Sequence, residues 1–497
     1  MSQSSYRTII RGSSIMGGAS LVNIVGGLVK MKVVAVLMGP AGIALLGIYQ
    51  SLMQTTASVA GLGVTAAGTR RIASAAEDAG GGIALVRRAL FWGTLAQAIV
   101  GGMVFWIVSG NIARGFMLHP ERTGEVAWLA LGAVLMVGAG AQTALLTGLR
   151  RIGDLARLQV GAAFAGVAGG LAALWIWGEG GLLALALIAP LSNFLLGHFY
   201  VSRLDGAIDK SPLVDVVRVW GAMAWLGVAV MISSVVTLAG HMAVRLLVQR
   251  DLGLDAVGQF QAAWTICTTY LAFILGAMGS DYFPRLVAVI NDKVEATRLV
   301  NQQTEVALLL CGPVLVAMLG CAPMVIRLLY SSDFDGTLEI LRWQLLGDIL
   351  KVISWPLGFV LLALGSGKTV ILTESVGIGI FVLGVAIGLP LIGVNATGVA
   401  FLALYIVYLP LVWWLSHRRI DFRWTRVVKL QALVLIGSAL VVNFAANWSK
   451  LAGATAGLGI AFALSIIAFL RLSEVIGLGG RFGLILASVR RRLLGLP

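Results

Sequence analysis

Cysteine is scarce: the 497 residues hold three, Cys267, Cys311 and Cys321. All three lie within apolar runs. There is no CxxC pair and no Cys/His cluster, so the sequence offers neither a disulfide framework nor a metal site. Charge is scarce as well. Charged side chains make up 12% of the chain, against roughly 25% in a soluble globular protein. That deficit excludes an ordinary cytoplasmic enzyme, a disordered chain and a nucleic-acid-binding domain. Acidic residues fall short of basic ones, 22 against 36, leaving a formal net charge of +14. In a soluble protein such a surplus points to nucleic acid. Here it is distributed between apolar runs, so basic cytoplasmic loops are expected and no nucleic-acid partner. The alternating segments of about ten residues that build a membrane β-barrel are also missing.

What is present is apolar length. Hydrophobic residues reach 59% and mean hydropathy is +0.95. Fourteen runs are long enough to cross about 30 Å of hydrocarbon. They begin with 13–37 and 42–66, parted by the turn Gly39-Pro40-Ala41-Gly42, and end with 430–447 and 452–470. The expected fold is all-α: a polytopic membrane protein of about fourteen transmembrane helices. A cleaved signal peptide with Arg7 and Arg11 as its basic region is the alternative at the amino terminus. The first run continues past Lys30 and Lys32 to Leu37, too long for a signal core, so an uncleaved span is expected. With both termini cytoplasmic, only Arg114, Arg122, Arg250 and Lys450 fall on the outer side. Most other basic residues, including Arg490-Arg491-Arg492 in the tail, lie inside. That asymmetry fixes the orientation.

The chain carries a weak internal repeat. Gly47-Ile48-Tyr49-Gln50-Ser51 matches Gly258-Gln259-Phe260-Gln261-Ala262. In that register Lys30 faces His241 and Gly42 faces Gly253. After a three-residue slip, the stretch from Arg71 to Asp78 resembles that from Arg285 to Asp292. Two pseudo-symmetric six-helix lobes around a central cleft follow. They are placed at 1–204 and 221–417, joined by a cytoplasmic linker at 205–220. Residues 418–497 form a C-terminal helix pair and a basic tail. Two like halves that rock about a cleft give alternating access.

Ionisable groups within membrane spans are costly and usually face the bundle interior or water. Those found here are mainly basic. Lys30, Lys32, His241 and Arg245, with Gln50, Gln54 and Gln261, form a candidate cavity lined by cations and amides. Such a lining suits an anionic, hydroxyl-rich head group, because phosphate and uronate oxygens accept charge-assisted hydrogen bonds. Snorkelling of the three cations to the outer interface is the competing reading, and for His241 it is packing. Asp348 and Lys351, three apart on one helical face, form either a mutually neutralising pair or an ion-coupling relay. Arg70 and Asp281, at equivalent inner ends, are a candidate gate or ordinary interfacial charges. Arg327 and Arg342 are placed near the outer surface, as contacts for a departing glycan. Gly365-Ser366-Gly367-Lys368-Thr369 imitates a phosphate loop, but Leu362 stands where the pattern needs glycine; it reads as a cytoplasmic turn. No cofactor signature and no catalytic constellation stands on a soluble loop.

The polar amino-terminal stub, the lysine-bearing first span, the Gly39-Pro40-Ala41-Gly42 turn and Gly47-Ile48-Tyr49-Gln50 together resemble the Wzx-type flippases of the multidrug/oligosaccharidyl-lipid/polysaccharide exporter superfamily. The resemblance implies transport of an undecaprenyl-diphosphate-linked oligosaccharide, an O-antigen or enterobacterial-common-antigen-like unit. The direction implied is from the cytoplasmic to the periplasmic leaflet of the bacterial inner membrane. It also implies contact with membrane lipids, and a glycan polymerase and a chain-length regulator as candidate partners. Members often have twelve spans. The extra pair at 430–470 is similar to the fourteen-helix relatives that flip peptidoglycan precursor. The alternatives are an ion-coupled drug or metabolite antiporter of the same superfamily, which the basic character of the buried set disfavours, and a membrane glycan polymerase or ligase.

Overall fold

The computed structural model describes residues 3–77, 82–115, 120–204 and 211–475. Asp78, His119, the start of the linker (205–210) and the tail bearing Arg490–Arg492 lie outside the described residues. Every regular element among the described residues is helical, as a chain that must satisfy its backbone inside lipid requires. The helices are α1 Gln3–Gly61, α2 Val64–Glu77, α3 Ile83–Gly115, α4 Thr123–Gly148, α5 Ile152–Trp177, α6 Gly181–Ser202, α7 Leu213–Val289, α8 Lys293–Leu329, α9 Thr337–Ala363, α10 Gly367–Ile392, α11 Ala396–Ile420, α12 Arg426–Trp448 and α13 Lys450–Val475.

Among the described residues, ten stretches are long and apolar enough to cross a membrane. Four of them, Gly17–Gly61, Ile152–Ser202, Met231–Gly279 and Gly367–Ile420, run from 45 to 54 residues, about twice the ~20 that one crossing needs. Taking each as two passes fits the fourteen runs of the sequence. All four are broken by a glycine in a left-handed conformation that side chains disfavour: Gly39 (φ 62°), Gly178 (φ 56°), Gly253 (φ 83°) and Gly393 (φ 59°). The sequence register set Gly42 against Gly253, whereas the backbone sets Gly39 against it. The imitation phosphate loop is a turn between α9 and α10, with Gly365 at φ 67°.

By contact density the chain divides into two units. The first holds 1–262 with 328–334 and 385–394; the second holds 263–327, 335–384 and 395–497. Within the first unit α5 packs on α6, α3 on α4 and α1 on α5. A core of Val64, Ile72, Val86, Leu90, Leu145 and Met223 ties α2, α3 and α4 to the start of α7. Within the second unit α11 packs on α9 and α12 on α13, around a core that includes Tyr282, Leu286, Val300, Leu357 and Phe422. The segment between α11 and α12 is pinned from α8. Asn301 donates to the Arg423 carbonyl (3.0 Å) and accepts from the Thr425 amide (2.8 Å), while Lys293 pairs with Asp421 at 2.8 Å.

Large apolar side chains point outward along these helices, among them Trp106, Ile107, Trp175, Trp225, Phe444 and Trp448. A water-facing surface rarely carries so much apolar area. With the apolar helices, this makes the chain a multi-pass membrane protein.

Candidate functional site

The first unit brings several of the expected residues together near the break in α1. Arg245 of α7 is only 6% exposed, so it does not snorkel. Its Nε donates to Oε1 of Gln261 at 3.0 Å. The Nη donors of this guanidinium bond to none of the described residues. Gln261 in turn lies against Gly47, where an added Cβ would sit 2.8 Å from its Cδ. The repeat-equivalent Gly258 meets the Pro40 carbonyl just as closely, at 2.0 Å from an added Cβ. Gly258 thus lets its helix approach the backbone at Pro40, and Gly47 makes room for the Gln261 side chain.

Lys32, half-buried, donates to the carbonyl of Tyr330. The Tyr330 segment is itself held in this unit. Gln259 donates to the Asp333 carbonyl at 2.7 Å, and the Tyr330 hydroxyl donates to the Ala262 carbonyl at 3.4 Å. Lys30 is half-buried one turn before the fully buried Val34, and it too bonds to none of the described residues. His241, one turn before Arg245, is half-buried and engaged. Gln50 is half-buried on the second part of α1, and Gln54 is exposed one turn further on. Gln54 lines a cavity of about 260 Å³ together with Ser58, Thr65, Thr94 and Ser234.

Sequence reasoning missed a second cluster in this unit. The buried Tyr49 donates to Glu125, which Arg122 also engages at 3.2 Å, and Arg122 reaches on to Glu179. This ties α1 to the starts of α4 and α6. Tyr49 sits between matched Gly47 and Gln50, so its place in the repeat is the available signal.

In the second unit the expected pair is formed. Asp348 is fully buried, 3.7 Å from the Lys351 ammonium. Its other oxygen accepts from the Tyr270 hydroxyl at 2.8 Å, and Lys351 stands 5.7 Å over the Phe401 ring. Tyr270 and Phe401 escape a sequence reading because they lie on α7 and α11, far along the chain. The run of hydroxyls Thr268-Thr269-Tyr270 inside an apolar span is the available hint. Glu374 accepts from Tyr408 at 3.1 Å rather than snorkelling. Asp281 accepts from Arg285 on its own helix at 3.0 Å, and Arg70 stands exposed on α2.

One expectation fails. Arg342 is not an outer-surface contact for a glycan. It is 5% exposed and its fork is engaged with Glu339 (3.0 Å), Asn447 (2.9 Å) and the Ala446 carbonyl (3.1 Å). It fastens α9 to the end of α12. The misreading arose because α12 supplies that partner from more than a hundred residues away.

A family model described as polysaccharide biosynthesis protein matches residues 33–339. The lipid III flippase of Escherichia coli (strain K12) is 26% identical over 415 residues, which is 81% of this chain and 97% of that protein. The same figures hold for the lipid III flippase of Shigella flexneri. Among solved structures, lipid II flippase MurJ in an inward closed conformation superposes with a TM-score of 0.65 at 11% identity, covering 98% of this chain and 99% of that one. What it leaves out is shorter than either α12 or α13, so both belong to the shared fold. An inward-facing multidrug resistance MATE family transporter of the MOP superfamily superposes equally well, at 0.65 and 15% identity, covering 81% of this chain and 94% of its own.

Proposed function

The chain belongs to the polysaccharide biosynthesis protein family, and we propose that it is a flippase for a lipid-linked oligosaccharide. It is a transporter, not an enzyme. Its cargo in this reading is an undecaprenyl-diphosphate-linked O-antigen or enterobacterial-common-antigen-like unit. The unit moves from the cytoplasmic to the periplasmic leaflet of a bacterial inner membrane, with both termini cytoplasmic. The halves 1–204 and 221–417 alternate access to the head group, with Arg70 and Asp281 at the inner gate. A glycan polymerase and a chain-length regulator are its partners downstream.

One observation carries the reading. Arg245 keeps a guanidinium in the interior of the first unit with its Nη donors unused by the described residues, and Lys32, Lys30 and Gln261 belong to the same unit. Desolvating a cation costs several kcal/mol. A fold tolerates that cost where a diphosphate supplies the counter-charge through charge-assisted hydrogen bonds. The names of the 26% identical relatives, lipid III flippases, support a lipid-linked cargo.

A second reading, an ion-coupled antiporter, draws on the fold shared with the MATE transporter and on the buried Asp348–Lys351 pair. In the flippase reading that same pair couples glycan movement to an ion gradient. Deletion in the native host separates the two. Accumulation of undecaprenyl-linked glycan in the inner leaflet supports the flippase. Unchanged glycans with altered drug sensitivity support the antiporter.

A further inference from the structure

The cavity beside Gln54 has a lining unlike that of the basic cluster. It encloses about 260 Å³ and is lined by Gln54, Ser58, Thr65, Thr94 and Ser234, by apolar surface from Met136 and Met231, and by no ionisable residue. A charged ligand would find no counter-charge there. That volume falls below the roughly 300–1,000 Å³ of a drug-sized site, so it holds one ring rather than several.

The backbone at its wall is built open. α1 ends at Gly61 and α2 begins at Val64, and the two residues between them, Leu62 (φ 45°) and Gly63 (φ 65°), are left-handed. A bulky residue such as Leu62 adopts that conformation only when its surroundings dictate it. They do so here: a Cβ on Gly63 would lie 2.2 Å from the Gly227 carbonyl oxygen, and a Cβ on Gly227 would lie 2.1 Å from that of Leu62. The break is thus locked by two backbones in contact. Gly61 at the close of α1 and Gly63, Val64 and Thr65 at the opening of α2 line the cavity, at helix ends where backbone groups lack intrahelical partners.

Thr94 supplies the second, independent observation. It is 5% exposed and its hydroxyl has no hydrogen-bond partner. Helical threonines in this chain usually satisfy themselves on the preceding turn, as Thr69 (2.8 Å), Thr268 (2.7 Å) and Thr304 (2.8 Å) do. Thr94 instead lines the cavity and leaves its hydroxyl unpaired. A buried, unsatisfied hydroxyl needs a partner from outside the fold.

Donors and acceptors side by side, no charge, and apolar surface describe a site for a group that both donates and accepts and has an apolar face. We propose that this cavity is a subsite for an uncharged sugar ring, read by Gln54, Ser58, Thr65, Thr94 and Ser234. The inference rests on the flippase reading and names which part of the head group sits there. Ser58 stands eleven residues along the same helix from Gly47, about 16 Å. The diphosphate at the basic cluster and a sugar at this cavity are therefore held apart along one helix.

The test measures binding of two probes to the full-length protein in detergent micelles: a polyprenyl diphosphate carrying one neutral hexose, and the bare polyprenyl diphosphate. Wild type should prefer the glycosylated lipid. Thr94→Val, which removes the hydroxyl at nearly constant volume, should lose about fivefold to tenfold in affinity for it, the size of one hydrogen bond, and keep its affinity for the bare lipid. Thr94→Ser should retain the preference. If a free methyl hexoside displaces the glycosylated probe, the ring alone is recognised, which supports the subsite. If Thr94→Val weakens both probes equally, or neither, the subsite is overturned while the flippase reading stands. If wild type binds neither probe, the flippase reading fails and takes the subsite with it.

Discussion

Replacing Arg245 by methionine tests the basic cluster with the least collateral change. Methionine fills the space of the aliphatic stem and removes the guanidinium. Two effects on stability oppose each other. The Oε1 of Gln261 loses its donor at 3.0 Å, which costs about 1–3 kcal/mol if that atom stays dry. The fold no longer has to desolvate a cation at a position only 6% exposed, and swaps of buried charge for apolar volume are often neutral or stabilising by about 1–4 kcal/mol. The sum leaves membrane abundance close to that of wild type. Transport has no such compensation. Each lost charge-assisted hydrogen bond to a phosphate is worth about 1.5–3 kcal/mol, and about 1.4 kcal/mol is tenfold. Export at limiting substrate should fall about 10-fold to 100-fold. Arg245→Lys should fall less, keeping the charge but not the fork. The assay is surface glycan in a deletion strain complemented with each variant, normalised to membrane abundance by immunoblot. Full export by Arg245→Met at normal abundance would refute the reasoning.

Three further outcomes follow from the geometry. Gly63→Ala should destabilise by more than about 2 kcal/mol, because it adds strain at positive φ to a clash 2.2 Å from the Gly227 carbonyl oxygen. Gly437→Ala, on α12 with open space around the added Cβ, should be neutral or stabilising by up to about 1 kcal/mol; thermal melts in detergent compare the two. Arg342→Met should lower the melting temperature, because it unties α9 from α12 and leaves the buried Ala446 carbonyl without its donor, and leave substrate affinity unchanged in a binding titration. Lys293, bonded at 2.8 Å, holds the Asp421 carboxyl below its ordinary value, with His417 and Arg423 adding to the effect. A depressed carboxylate stabilises above its unfolded value, near 3.9, and the contribution is lost as pH falls through the lower folded value. Lys293→Met should therefore flatten the acid limb of the melting curve below about pH 4, and an unchanged limb would count against the pair.

The spans were legible because a membrane crossing demands about twenty apolar residues and little else in the sequence competes with that signal. The runs 182–201, 338–364 and 452–470 lie within a few residues of α6, α9 and α13. The break at Leu62–Gly63 was not legible. The expected run 42–66 passes through it, because what forces the break is Gly227 on α7, which no local pattern announces. The partnership of Arg245 and Gln261 was half legible. A charge within a span singled out Arg245 and the repeat singled out Gln261, but their hydrogen bond across the Gly253 break could not be read from either. The i, i+3 spacing of Asp348 and Lys351 was enough to pair them, whereas Tyr270 reaches that carboxylate only through tertiary packing. Arg342 was misplaced for the same reason. A charge near a helix end looks solvated until the helix that covers it is known.

The most direct measurement is flipping itself. The purified protein is reconstituted into liposomes with a fluorescent lipid-linked oligosaccharide, and a membrane-impermeant reductant is added outside. The account predicts that wild type exposes the inner-leaflet probe at a rate well above that of protein-free liposomes, and that Arg245→Met falls back towards the protein-free rate. Equal rates for wild type and empty liposomes, or undiminished flipping by Arg245→Met, would contradict it.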